Sequence, residues 1–228
     1  ALYNRAFLLD TDGQIVDFSD KVHLVPFGEY IPFPSVFQYL EGLTTESGAF
    51  THGAKRKAMH LPGTTERFGV FICYEAIFPG IARELVRGGA TFLVNITNDA
   101  WFGRSAAPYQ HLAMAAFRAI ETGRSVVRVA NTGITCLITP SGSISQATKL
   151  FATAAFVLGV ETRTETTTYT LIGDLFVFGC GLYLALEFFY RWIRKQIHTI
   201  FGDVSMLEHS RHGNVYSAKK GKLAEMGT

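Results

Sequence analysis

Short apolar runs alternate with helical patterns from residue 1 to about residue 160. Runs rich in Val, Ile, Leu and Phe that are bounded by turn-forming residues are typical of buried strands. Such runs predict strands at residues 5–9, 15–18, 68–73, 91–96, 126–130, 135–139 and 154–160.

Proline and glycine mark the ends of the two helices that the pattern predicts. Pro79 opens the first, apolar residues at helical spacing give it one buried face, and Gly88 closes it. Pro108 opens the second, and Gly123 follows its end. A chain that runs strand, helix, strand, helix and then consecutive strands predicts an α/β fold, with helices covering a mixed sheet.

The pattern changes in the C-terminal part of the chain. An apolar run begins at Leu171, and between Asp174 and Arg191 it carries a single charge, Glu187. Its length and hydropathy predict a transmembrane helix over residues 169–193, although a buried core helix of a soluble protein has a similar pattern.

Basic residues follow this helix directly. Arg191, Arg194 and Lys195 favour a cytoplasmic C-terminal end, because positive charges accumulate on the cytoplasmic side of membrane proteins. The preceding domain, residues 1–165, would then lie outside the cytoplasm. Residues 196–228 are polar and are predicted to form a disordered tail.

The composition excludes several classes of function. Hydrophobic residues make up 48% and charged residues 18%, which is apolar for a soluble enzyme and too polar for a wholly embedded protein. The net charge is +2 without a long basic stripe before the C-terminal third, so nothing favours nucleic-acid binding. Three cysteines without a CxxC pair argue against a disulfide framework and a zinc site. The histidines have no metal-ligand spacing, and we expect neither a metal nor another cofactor.

Cys73 is the candidate nucleophile, because an apolar strand ends there and a helix begins within a few residues. A side chain at such a junction projects from a tight turn into a cleft, where backbone N–H groups can meet an oxyanion and the helix end favours a thiolate. The alternative is a buried structural cysteine. We keep that interpretation for Cys136 and Cys180, which lie inside apolar runs.

Lys21 and Glu29 lie on either side of a Pro-Phe-Gly turn. An ammonium group in a cleft stabilises a developing oxyanion, and a glutamate can position it or carry a proton. Composition alone favours a solvated lysine and a turn glutamate instead.

Another strand runs into Asn98 and Asp99 and then into the aromatic pair Trp101 and Phe102. The two polar residues can simply cap the turn. The two aromatic residues can line an apolar substrate pocket or pack onto the core, and the pattern leaves both open.

Five stretches together resemble the nitrilase, or carbon–nitrogen hydrolase, superfamily and, more closely, its membrane-bound branch, the apolipoprotein N-acyltransferases. They are KVHLVPFGEYIPF, FGVFICYEAIFP, NITNDAWFG, HLAMAAFRAIETGR and RVANTGIT. The resemblance covers residues 1 to about 195. It implies a partial nitrilase-like α-β-β-α sandwich, followed by one transmembrane helix and the polar tail.

The resemblance also implies roles for individual residues. Cys73 matches the nucleophile that takes an acyl group from a phospholipid as a thioester, and Lys21 matches the lysine that stabilises the tetrahedral intermediate. Glu29 matches a second glutamate that supports the site. The thioester is then attacked by the amine of a diacylglyceryl-cysteine at a lipoprotein N-terminus.

Tyr74, Glu75 and Trp101 match positions associated with the site and with access of the acyl chain, so we assign them to substrate binding. The resemblance places the enzyme in the bacterial inner membrane with its catalytic domain on the periplasmic side. Its expected partners are a phospholipid donor, an apolipoprotein acceptor and the membrane itself.

The chain departs from the family pattern at its start. The family's general-base glutamate lies upstream of the lysine, whereas only aspartates in other contexts precede Lys21 here: Asp10, Asp12, Asp17 and Asp20. The chain also opens inside a strand and lacks the N-terminal transmembrane helices of the branch. We therefore expect a truncated portion of a longer enzyme that is inactive or very weak alone, since a lost base costs about 10²–10⁴ in rate.

Two other functions stay open. A soluble amidase or nitrilase-like hydrolase, with water as the acceptor, would need the same Lys21 and Cys73. A catalytically dead, membrane-anchored module would account for the missing base.

Overall fold

The structure is a computed structural model that describes residues 1–33 and 50–198. The chain divides into two units, Ala1–Gly173 and Asp174–Thr228. All the residues discussed below as a candidate site belong to the first unit.

A six-stranded mixed sheet organises the first unit, with its strands in the order β3 Ala58–His60, β4 Arg67–Ile72, β5 Phe92–Thr97, β6 Val126–Ala130, β7 Cys136–Ile138 and β8 Ile144–Ser145. Strands β4, β5 and β6 are parallel to one another. Strand β3 pairs antiparallel to β4, β7 pairs antiparallel to β6, and β8 pairs antiparallel to β7.

Two helices connect the parallel strands and cover one face of this sheet. Helix α1, Pro79–Arg87, joins β4 to β5, and helix α2, Ala107–Thr122, joins β5 to β6. A Cβ at Gly69 would lie 2.7 Å from the Leu85 Cβ, so glycine is needed for β4 and α1 to approach this closely. The core between helices and sheet contains Phe71, Ile81, Leu85, Leu93, Leu112, Ala115, Ala119, Val126 and Ile138.

A separate hairpin, β1 Arg5–Leu9 and β2 Ile15–Asp20, contributes to a second, smaller core. There Ala6 packs with Met59 of β3 and with Phe68, Val70 and Ile72 of β4. Successive side chains of a strand point to opposite faces, so β4 is buried on both. The predicted α/β class, with helices covering a mixed sheet, is confirmed.

The strand predicted at residues 154–160 is wrong. The structure gives this segment no regular secondary structure, and Phe156 and Val157 are exposed. An apolar run becomes a strand only when its backbone finds a partner edge, and no strand in the described ranges pairs with this one. Strands β3 and β8 were not predicted, because three and two residues are too short to show a period.

The C-terminal apolar run is helical. A short helix, α3 Thr168–Ile172, ends at Gly173, whose φ of +59° breaks the helix. Helix α4, Leu175–His198, then has 24 residues and is long and apolar enough to cross a membrane, with no part of its apolar window buried. At 1.5 Å per residue it is about 36 Å long. From residue 199 onward, the predicted tail lies outside the described residues.

Candidate active site

Cys73 stands where β4 ends, as the first residue of a 3₁₀ turn, Cys73–Ile77. Its φ is +51°, a left-handed conformation that is uncommon for residues other than glycine. Such a conformation costs on the order of 1–3 kcal/mol and persists only where the surroundings hold it. The turn leaves the Cys73 side chain half-buried rather than in the core.

A cavity of about 340 Å³ opens beside Cys73. It is lined by Lys21, Val25, Gly28, Glu29, Cys73, Tyr74, Trp101 and Phe102. Five of the six residues predicted for the site therefore lie around one pocket, although they come from distant parts of the chain. The sixth, Glu75, is not part of the pocket wall.

Lys21 is buried, with only 1% of its side chain exposed, so the alternative of a solvated lysine is wrong. Its Nζ lies 2.7 Å from Glu29 Oε2. A buried ammonium is tolerated only when a carboxylate or other acceptor compensates for its lost hydration. The Lys21–Glu29 pair thus places a positive charge at the pocket wall.

Glu29 is held at both carboxylate oxygens. Oε1 accepts a hydrogen bond from Asn4 Nδ2 at 2.8 Å, and Oε2 accepts one from the Val25 N–H at 2.8 Å. Burial alone would raise the pKa of Glu29, but the bonds from Lys21, Val25 and Asn4 outweigh it and lower the pKa. Glu29 is therefore an ionised anchor for Lys21 and a weak base.

Glu75 is buried behind the pocket and joins two segments of the site. Its Oε1 accepts the N–H groups of Val22 and His23 at 3.0 and 2.9 Å, and its Oε2 accepts the Ile72 N–H at 2.9 Å. One carboxylate thus ties the segment after Lys21 to the strand that ends at Cys73. Its predicted contact with substrate stays a prediction, but this geometry supports a positioning role.

The aromatic residues form the outer part of the pocket. Trp101 is 66% exposed, and both it and Phe102 line the cavity rather than the core. The Asn98 side chain accepts the Ala100 N–H at 3.2 Å, as predicted for a cap. Asp99 does not cap the turn but points into the interior.

A family model of carbon–nitrogen hydrolases matches residues 1–162 of this chain. The chain belongs to the carbon–nitrogen hydrolase family. The Saccharomyces cerevisiae protein Nit3, a member of branch 10 of the nitrilase superfamily, has a solved structure that covers 65% of this chain and 50% of its own, with a TM-score of 0.50 and 22% identity. That likeness concerns the fold alone, and it agrees with the nitrilase-like architecture predicted above.

Bacterial relatives share more of the sequence. The Geobacter metallireducens protein named apolipoprotein N-acyltransferase is 44% identical over 195 residues, which are 86% of this chain and 37% of that protein. The protein of the same name from Allorhizobium ampelinum is 44% identical over 169 residues, which are 72% of this chain and 30% of that protein. The resemblance to this branch is confirmed, and the chain spans about a third of the length of these curated relatives.

Behind Cys73 lies a buried polar cluster that was not predicted from the sequence. It consists of Asn95, Asp99, His111 and Arg128, each at most 5% exposed. Arg128 Nη2 lies 2.7 Å from Asp99 Oδ2, and Arg128 Nη1 donates to the Asn95 side chain. All four residues stand in the stretches that carry the family resemblance, which was the one signal that could have found them.

Asp99 carries the negative charge at the centre of this cluster. Burial would raise the pKa of its carboxyl group, but the hydrogen bond with His111, the charge of Arg128 and the bond from the Thr97 hydroxyl lower it instead. Asp99 is therefore ionised at neutral pH and balances the charge of Arg128.

None of the aspartates that precede Lys21 is among the residues that line the pocket. Asp10 accepts backbone N–H groups of its own turn, Asp17 pairs with Lys57, and Asp20 pairs with Arg5. Of the described residues that line the pocket, Glu29 alone carries a carboxylate.

Proposed function

We propose that this site transfers an acyl group through a thioester on Cys73. The observation that supports the proposal is the pairing, around one pocket, of a cysteine in a left-handed turn with a buried lysine. A thiol nucleophile divides acyl transfer into two easier steps, and a fixed ammonium stabilises the charge that develops in each.

In the first step the Cys73 thiolate attacks the ester carbonyl carbon of the donor and forms a C–S bond. Lys21 faces the oxygen that becomes negative, and collapse of the intermediate breaks the ester C–O bond. The leaving alkoxide takes up a proton and departs as a lyso-lipid. In the second step an amine attacks the thioester carbonyl, loses a proton and releases the Cys73 thiolate.

Glu29 has a supporting part in this scheme. Its lowered pKa and its bond to Lys21 suit an anchor that keeps the ammonium in place, not an acceptor for the thiol proton. The family resemblance assigns the acceptor of the thiol proton to a glutamate upstream of the lysine. We therefore expect slow acylation of Cys73 in the chain alone.

The donor in this proposal is a phospholipid, and the acceptor is the amine of a diacylglyceryl-cysteine at a lipoprotein N-terminus. The name of the relatives, apolipoprotein N-acyltransferase, supports an apolipoprotein amine as the acceptor, and the family resemblance implies the phospholipid donor. Tyr74, Trp101 and Phe102 give the pocket an aromatic wall that suits an acyl chain.

A membrane location follows from the same substrates. Helix α4 is long and apolar enough to span a bilayer, and Arg191, Arg194 and Lys195 lie near its C-terminal end. By the positive-inside tendency, its C-terminal end is cytoplasmic and the catalytic unit is periplasmic in the bacterial inner membrane.

A flotation assay with phospholipid vesicles tests this location. Leu182→Arg places a charge in the apolar stretch of α4, where it costs about 2.5–3.5 kcal/mol of insertion, and should move the protein to the unbound fraction. Gln196→Arg adds the same charge at the polar end of the helix and should still float. Equal flotation of both variants would contradict a spanning helix.

The transfer itself is tested with a phospholipid and a synthetic diacylglyceryl-cysteine peptide in detergent, with the N-acylated peptide measured by mass spectrometry. The chain is compared with a chimera that joins the upstream part of the Geobacter metallireducens relative to residue 1. We expect transfer in the chimera, little in the chain alone, none in Cys73→Ser and unchanged transfer in Cys180→Ser. Release of free fatty acid without acylated peptide would contradict an amine acceptor.

Hydrolysis of a carbon–nitrogen bond is the second candidate, since the family as a whole is defined by it. It uses the same Cys73 and Lys21, with water in the second step. Ammonia release from a short aliphatic amide, without transfer to the peptide, would favour it. Failure of an acyl probe to label Cys73 in either protein would favour the catalytically dead module.

A further inference from the structure

The carbonyl group of the proposed nucleophile is held by a histidine that the scheme above does not use. His111, on helix α2, is 5% exposed, and its Nε2 lies 3.1 Å from the Cys73 carbonyl oxygen. A carbonyl oxygen only accepts, so the donor of this bond is an Nε2–H group of His111.

The other side of the imidazole is fixed by charged neighbours. His111 Nδ1 lies 3.0 Å from Asp99 Oδ1 and 3.2 Å from Arg128 Nη2, while Arg128 Nη2 also binds Asp99 Oδ2. A Cβ at Gly133 would lie 2.1 Å from Asp99 Oδ2, so a larger residue there would displace the carboxylate. The ring is therefore locked between Asp99 and the backbone of Cys73.

The peptide group between Cys73 and Tyr74 connects the hydrogen bond from His111 to the pocket. The carbonyl of Cys73 and the N–H of Tyr74 belong to one planar trans unit and point in opposite directions. The Cys73 carbonyl is bound by His111 of the buried cluster, so the Tyr74 N–H points away from that cluster. Cys73 and Tyr74 both line the cavity. As an amide in the first turn of a helix, the Tyr74 N–H has no partner within that helix.

The left-handed conformation of Cys73 explains why the hydrogen bond from His111 to its carbonyl matters. A residue with a φ of +51° tends to relax to negative φ, and that change would rotate the peptide group that follows it. The bond from His111 opposes such a rotation, because it holds the carbonyl end of the same group.

We propose that His111 is a positioning residue of this site: it fixes the Cys73 carbonyl and thereby directs the Tyr74 N–H at the oxyanion that forms when Cys73 is acylated. Asp99 and Arg128 hold the ring for this purpose. The inference rests on the proposed function in one respect, that Cys73 accepts an acyl group.

The first test compares two reactions of the same thiol on the full chain. A p-nitrophenyl fatty ester acylates Cys73 through an oxyanion and needs no strong base, whereas iodoacetamide alkylates it by displacement without an oxyanion. His111→Leu should slow acylation by about 10²-fold, the loss expected for one oxyanion donor, and leave the alkylation rate nearly unchanged. His111→Gln keeps a donor and should restore most of the acylation.

Leu112→Ala is the control for general destabilisation, because it removes a buried side chain from the next position of α2 without touching the Cys73 carbonyl. It should lower the melting temperature and change the two rates in parallel. Parallel loss of both rates in His111→Leu, or no rescue by His111→Gln, would overturn the proposal.

A second readout does not depend on activity. The dipeptide Cys-Tyr occurs once in the chain, so labelling cysteine carbonyls with ¹³C and tyrosine amides with ¹⁵N gives a single NMR correlation for this peptide group. His111→Leu should move the Cys73 carbonyl shift in the direction of a lost hydrogen bond, and Leu112→Ala should leave it in place.

The two readouts separate this inference from the proposed function. If Cys73 is alkylated but never acylated, the proposed function fails, and the carbonyl shift alone decides whether His111 holds the peptide. An unchanged shift in His111→Leu would overturn the positioning role.

Discussion

Glu75 connects the segment after Lys21 to the end of β4, and replacing its carboxylate tests whether the site depends on that connection. Glu75→Gln keeps the size of the side chain but leaves one oxygen acceptor where the carboxylate has two. Three backbone N–H groups, those of Val22, His23 and Ile72, share the two oxygens. At least one of them must therefore face the amide NH₂ group and lose its acceptor.

The size of the effect follows from these bonds. A hydrogen bond to a charged group contributes about 1.5–3 kcal/mol, and the two remaining bonds lose their charge assistance, so we expect a loss of about 2–4 kcal/mol. Arg56 Nε, 3.9 Å from Glu75 Oε1, also loses the nearby charge. In a unit of this size, the melting temperature should fall by about 4–16 °C.

Thermal unfolding followed by circular dichroism measures this loss, and the ester acylation rate of Cys73 reports its effect on the site. Glu84→Gln is the matched control, since Glu84 is 49% exposed and its ion pair with Arg56 should contribute less than about 1 kcal/mol. If Glu75→Gln unfolds like the parent and only raises the KM for substrate, Glu75 binds substrate and the positioning argument is refuted.

Two further substitutions and one labelling experiment test other parts of the structure. Lys21→Met should slow ester acylation of the nucleophile by about 10²–10³-fold, because it removes a charge from the oxyanion position; an unchanged burst of p-nitrophenolate would contradict this. Asp99→Asn should cost about 3–5 kcal/mol of unfolding free energy at pH 7, since it leaves Arg128 buried without a counter-charge. Burial alone would raise the pKa of Asp99, but His111 and Arg128 lower it below its unfolded value. The ionised carboxylate therefore stabilises the folded state above about pH 4, and this stabilisation is lost as the pH falls through the folded pKa. Denaturant titrations at pH 7 and pH 3 should therefore show the difference between Asp99→Asn and the parent shrinking, and a constant difference would contradict the assignment. Burial raises the pKa of the Cys136 thiol to about 11, so iodoacetamide at pH 8 should label it only after unfolding, and mass spectrometry of the peptides would reveal earlier labelling.

The elements that carry Cys73 could be predicted because local signals agree there. An apolar run ends at residue 72, Pro79 opens a helix, and Gly88 closes it, so periodicity and turn chemistry gave the β4–α1 junction to within a residue or two. The strand predicted at 154–160 failed because hydrophobicity alone does not supply a partner edge.

The arrangement of side chains was less predictable, because it depends on tertiary contacts. Lys21 and Glu29 are eight positions apart on an irregular segment, and the contact arises because that segment folds back, with the Glu29 N–H donating to the Val25 carbonyl at 2.8 Å. Composition predicted a solvated lysine, and only the family resemblance placed Lys21 at the site.

The buried polar cluster was even less predictable from the sequence, because it depends entirely on tertiary contacts. Asn95, Asp99, His111 and Arg128 come from β5, a 3₁₀ turn, α2 and β6. Each polar residue, taken alone, is expected at the surface, and burial becomes favourable only once the partners meet. No local sequence pattern predicts that these four residues come into contact.

The most direct test of the account is whether Cys73 becomes acylated from a phospholipid. The chain and the chimera described above are incubated with the donor in detergent, denatured and measured by intact mass spectrometry. We expect one acyl adduct in the chimera that hydroxylamine removes and Cys73→Ser lacks, with a much weaker adduct in the chain alone. No adduct in either protein, with an intact and alkylatable Cys73, would contradict the acyltransferase proposal.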